Sequence, residues 1–148
     1  MILSIWEPMY QQLLPELLRL QGQQCRIKGI TFGVAHPLPE LEPHRFNEYM
    51  NMQTPERWFV LSVDGKELMY GHSAERGGNA YYTDDPVHIF LLEDYIWHDV
   101  LVNRLVAKGG SGKLDDWILP ERERFFSRQK LPDQYWQQRK QARDDMEG

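Results

Sequence analysis

The chain has 148 residues, 41% of them hydrophobic and 26% charged, the length of one domain and a globular rather than disordered composition. A net charge of -5 argues against a general nucleic-acid binder, and the single Cys25 excludes an internal disulfide or a cysteine-rich zinc site. No run approaches the roughly 18 apolar residues of a membrane span, and the start MILSIWEP lacks the basic residues and long apolar run of a signal peptide, so the expectation is a cytosolic protein with no membrane partner.

In chain order, Met9, Leu13, Leu17 and Leu20 recur at helical spacing, with Gln12, Glu16 and Arg19 facing the other way. This predicts an amphipathic helix over 7–20, packed on the domain's own sheet and kinked or divided at Pro15. A strand follows over 25–34, with Cys25 as a small buried thiol; the apolar phase slips after Gly29, which a β-bulge there would absorb. The three prolines of HPLPELEP (36–43) mark a surface connection. Phe46, Tyr49 and Met50 suggest a short helix over 44–52.

The Asp64-Gly65 turn predicts a hairpin over 58–72 in which Val63 faces Lys66, Leu61 faces Leu68 and Phe59 faces Tyr70. Phe59, Leu61, Val63, Leu68 and Tyr70 then share the face that meets the helices. A third strand, 79–83, follows the loop SAERGG and completes a meander.

Residues 84–110 form the longest apolar-rich stretch. Asp85 suits an N-cap, Pro86 the first helical position, and Lys108 with Gly109 and Gly110 a helix end. Phe90, Leu91, Tyr95, Leu101, Val102 and Leu105 line one side of such a helix, with Asp94 and His98 one turn apart inside that stripe. The stripe is expected to face inward. The alternative makes 87–92 a buried strand, followed by a shorter helix from about Glu93. A polar helix over 132–148, capped by Asp133, closes the chain as a peripheral element of a single 1–148 domain.

The expected fold is therefore α+β, an antiparallel sheet of three to five strands packed against the N-terminal and central helices. Three places invite chemistry. Asp94 and His98 form a carboxylate–imidazole pair that suits acid–base work or a structural contact. His72, Glu75 and Arg76 sit on or beside a loop after the hairpin, where a polar or anionic ligand can be recognised. Tyr135, Trp136 and the Gln138–Arg139 step carry the apolar and cationic groups of the last helix, suited to a protein partner or a second copy.

GGSGK (109–113) lacks the earlier Gly and following Ser or Thr of a phosphate loop, having Ala107 and Leu114 instead. No HExxH pattern or complete ligand set appears, so neither metal nor cofactor is expected. Residues 122–143 are basic, but their mixed helix character suits a solvated face better than nucleic acid. The expected function is a non-enzymatic binding or regulatory protein of the inhibitor, immunity or accessory type. The alternative is a small enzyme acting on a polar or anionic molecule through Asp94 and His98.

Overall fold

A computed structural model describes residues 1–45, 57–73, 77–109 and 125. The chain divides into two compact units, Met1–Ser111 and Gly112–Gly148, and the architecture below belongs to the first. The expected polar helix over 132–148, and with it Tyr135, Trp136, Gln138 and Arg139, lies outside the described residues, as do Glu75 and Arg76. Of the expected helix over 44–52, only His44 and Arg45 are described, and neither is helical.

Unit 1 is α+β, with strands β1 (Ile2–Trp6), β2 (Lys28–Phe32), β3 (Leu41–Pro43), β4 (Arg57–Val63), β5 (Glu67–Ser73) and β6 (Asn79–Thr83) and helices α1 (Glu7–Gly22) and α2 (Pro86–Gly109). The sheet is six-stranded and mixed, in the order β3-β2-β1-β4-β5-β6, with β1, β2 and β3 parallel and the rest antiparallel. This corrects the expectation of a purely antiparallel sheet of three to five strands. The parallel part arises because β1 runs straight into α1, which carries the chain back so that β2 lies beside β1 in the same direction. The described residues contain no helix long and apolar enough to cross a membrane.

Each face of the sheet carries a helix. On one, Leu3, Ile5, Phe59 and Leu41 pack with Tyr10 and Leu17 of α1. On the other, Trp6, Ile30, Phe32, Val60 and Leu68 pack with Ile89, Ile96 and Val100 of α2. Burial on both faces turns a central strand into a continuous apolar run rather than an alternating one, and Gly29 to Phe32 are all buried. The phase slip after Gly29 is therefore no bulge, and the ladder with β1 runs unbroken from Ile2↔Lys28 to Trp6↔Phe32. Gly29 is required for another reason: its φ is +139°, and a Cβ there would sit 1.9 Å from the Leu3 carbonyl oxygen.

Pro15 lies inside a helix that continues to Gly22, so the expected division of α1 does not occur. Cys25 precedes β2 and is exposed, not buried in a strand. The last three residues of HPLPELEP form β3 rather than a surface connection, and Leu41 is buried. Pro43 is tolerated there because β3 is an edge strand, where a missing donor breaks no central ladder.

The hairpin is present, but its register is one residue off the expectation. Asp64 and Gly65 both take positive φ (53° and 63°), and the Lys66 N–H donates to the Val63 carbonyl at 3.0 Å. Val63 nevertheless pairs with Glu67, Leu61 with Met69 and Val60 with Tyr70, so Lys66 is an extra residue on the β5 side. One inserted residue sends every β5 side chain to the opposite face. Leu68 and Tyr70 consequently join Val60 beneath α2, while Phe59 and Leu61 face α1.

Helix α2 begins as its sequence indicates. Asp85 Oδ1 accepts the N–H groups of Val87 (2.8 Å) and His88 (3.1 Å), two of the donors that a helix start leaves open. Those bonds hold the Asp85 carboxyl below its usual pKa. A helix from Pro86 also settles the choice at 87–92 against the strand.

Candidate functional site

The inward side of α2 is Ile89, Ile96, Val100, Asn103 and Val106, all buried. Two polar anchors fix it. Ser62 Oγ, fully buried in β4, donates to Glu93 Oε1 at 2.5 Å. Asn103 Oδ1 accepts the Arg45 N–H at 3.0 Å while its amide donates to Glu42 Oε2 (3.3 Å) and the Pro43 carbonyl (3.2 Å). Arg104 adds a 2.7 Å contact from Nε to Glu42 Oε1. The helix is thus bonded to β4 near its middle and to β3 toward its C-terminal end.

That orientation turns the predicted stripe outward. Phe90 (65% exposed), Leu91, Tyr95, Val102 and Leu105 (59%) face solvent, as do Val87 and Trp97. The expectation of an inward stripe is corrected because α2 has two apolar sides, and the side carrying Ile89, Ile96 and Val100 fits the sheet. Asp94 and His98 go outward with the stripe. His98 Nδ1 lies 2.8 Å from the Asp94 carbonyl oxygen and 3.3 Å from Asp94 Oδ2, with side chains 63% and 44% exposed. The two residues do meet, on the exposed side of the helix rather than in a sealed core.

His72 lies half-buried in β5 opposite Trp58. It adjoins a feature that the sequence reading missed, an aromatic cluster at one end of the sheet. Trp6 stacks on Phe32 (4.9 Å between centroids), Trp58 meets both edge-on (5.2 Å each), and His44 stacks on Phe32 at 4.7 Å. The Arg57 guanidinium lies 4.3 Å above the Trp6 ring. Burial pushes the His44 imidazole down to about 4, so it is neutral at pH 7. The indole N–H groups of Trp6 and Trp58 are buried without a hydrogen-bond partner. The signal available in the sequence was an aromatic at the end of β1, another at the end of β2 and a third at the start of β4.

Asp99 is shifted in the opposite direction to Asp85: burial raises it to about 6, against the opposing pull of His98, and its Oδ2 has no partner. An open groove of about 440 Å³ runs between α1 and the segment after β2, lined by Tyr10, Leu14, Leu18, Val34, His36 and Leu38. Its one buried hydroxyl, on Tyr10, already accepts the Leu38 N–H at 3.1 Å.

The outer face of α2 therefore stands out. Of the twelve large apolar side chains exposed among the described residues, seven are on this helix, so the exposure is a patch rather than a scatter. A family-model scan, a search of curated proteins and a search of solved structures each find no match to this chain.

Proposed function

We propose that the chain is a non-enzymatic binding or regulatory protein that works through protein–protein contacts, and that the outer face of α2 is its contact surface. The observation that carries this reading is the stripe from Val87 to Leu105, anchored from behind by Ser62–Glu93 and Asn103–Glu42 and left apolar toward solvent. A rigid helix with aliphatic and aromatic residues at helical spacing is a standard recognition element, because it loses little entropy on binding. The Asp94–His98 pair adds a polar register mark in the middle of that stripe. Its exposed setting supports recognition over acid–base turnover, which gains most from a water-excluded site.

The test compares the wild-type chain with Phe90→Asp/Leu105→Asp. Both positions face solvent, so far-ultraviolet circular dichroism and the thermal transition of the isolated chain should be preserved. Stable contacts of the wild type, measured by sedimentation and by mass spectrometry of co-purifying proteins, should be lost in the variant. A variant that folds and keeps every contact of the wild type refutes the assignment.

A further inference from the structure

The outer stripe of α2 is complementary to itself when reversed. Its members are Val87, Phe90, Leu91, Asp94, His98, Leu101, Val102 and Leu105, spaced three, one, three, four, three, one and three residues apart, the same order from either end. Within it, Val87, Leu91, Asp94, His98, Leu101 and Leu105 alternate steps of four and three, the period of a two-helix seam. Phe90 and Val102 flank that seam on its two sides.

Laid antiparallel on a second α2 about a two-fold axis, the seam pairs Val87 with Leu105 and Leu91 with Leu101. At the centre, each Asp94 lies opposite the other copy's His98. One step beyond the apolar layers, Lys108 at the C-terminal end faces Asp84, just ahead of the helix start. Every apolar residue meets an apolar one, and every charged or polar one meets its complement. Antiparallel helices also place the positive end of each dipole beside the negative end of the other. A parallel pairing would instead set Asp94 on Asp94 and Lys108 on Lys108.

We infer that the occupant of this surface is a second copy of the chain, docked as an antiparallel, isologous helix pair with Asp94 and His98 crossing at its two-fold axis. This rests on reading the outer face of α2 as a contact surface and names what covers it. The polar central layer fixes the register, because a slide by one layer sets either Asp94 on Asp94 with His98 against Leu91, or His98 on His98 with Asp94 against Leu101.

The test uses the full chain, with sedimentation over a range of concentrations reporting self-association. The wild type should rise from the monomer mass of 17.6 kDa toward twice that value. Asp94→Arg, which opposes two cations at the axis, should weaken association about tenfold or more. The double exchange Asp94→His/His98→Asp restores the layer with its sides swapped and should recover association to within about threefold of wild type. For register, exposed Cys25 is first changed to Ser. A Leu91→Cys preparation mixed with a Leu101→Cys preparation should then form a disulfide-linked dimer on oxidation, while neither should do so alone.

A wild type that stays monomeric at every concentration overturns the proposal, as does a dimer indifferent to Asp94→Arg or one lacking the 91–101 cross-link. A monomer whose stripe still holds a different protein removes the second copy and leaves the contact surface standing. Loss of every stripe-dependent contact removes both.

Discussion

The orientation of α2 is the premise on which the functional reading depends, and alanine substitutions on its two sides measure it directly. Ile96 is 1% exposed beneath the sheet-facing side, whereas Phe90 and Leu105 retain well over half of their exposure. Truncating a buried isoleucine removes its transfer free energy and leaves a cavity, so Ile96→Ala should cost about 2–5 kcal/mol. Phe90→Ala and Leu105→Ala remove little that folding has buried and should each fall within about 0.5 kcal/mol of wild type. In urea, with a slope near 2 kcal/mol/M, the first change lowers the midpoint by about 1–2.5 M and the others leave it nearly unmoved. The assay is urea unfolding followed by circular dichroism at a concentration low enough for the monomer. Raising the concentration should then separate wild type from Phe90→Ala, because only association adds stability by mass action. Outer-face substitutions costing as much as Ile96→Ala in the dilute protein would place the stripe in the core and refute the docking argument.

Three further outcomes follow from the packing. Gly29→Ala should destabilise by about 3 kcal/mol or more, or prevent folding, since the added carbon falls 1.9 Å from a backbone oxygen in the β1–β2 ladder; a thermal transition within a few degrees of wild type contradicts this. Ser62→Ala leaves half-buried Glu93 without its hydroxyl donor and should cost about 1–3 kcal/mol, measured by the same unfolding curves, with a neutral result speaking against that anchor. The pH profile should show two opposed contributions. His44, depressed to about 4, leaves the unfolded chain holding more protons, so its contribution is present above about 6.5 and lost as pH falls toward 4. Asp99, raised to about 6, binds its proton more tightly when folded, so its contribution is present below about 3.8 and lost as pH rises through 6. Asp99→Asn should therefore steepen the rise of stability with pH between 4 and 6, and unfolding curves in which it flattens that rise reverse the assignment.

The parts of the fold that the sequence disclosed are those governed by local chemistry. Asp85 and Pro86 mark the start of α2 because a cap and a missing donor are properties of those residues themselves, and the observed bonds from Val87 and His88 end on Asp85. The stripe of α1 and the third strand, Asn79–Thr83, are equally local. What escaped required knowing which segments meet. Ile2–Trp6 gives only five residues before α1 and becomes a central strand through pairing with β2 and β4. Leu41–Pro43 becomes a strand because β2 offers it a partner, despite its proline. The hairpin turn was correctly located, yet a single extra residue at Lys66 exchanged the faces of β5, something that the Asp-Gly signal alone does not specify.

The same reasoning explains why the stripe of α2 was visible and its direction was not. Periodicity identifies residues that share a side of a helix but carries no sign, and a helix apolar on two sides presents two valid candidates. The choice is made by polar groups that must be satisfied: Asn103 finds Glu42, Pro43 and Arg45 only if it faces β3, and Glu93 finds Ser62 only if it faces β4. With both turned inward, Asp94 and His98 must turn outward, because they lie across the helix from Ile96 and Ile89. A carboxylate and an imidazole placed among exposed apolar side chains are then no core contact, and the proposed docking gives them the role of a register mark. The inward polar residues thus set the orientation of α2 and, by exclusion, decide which of its side chains are left exposed.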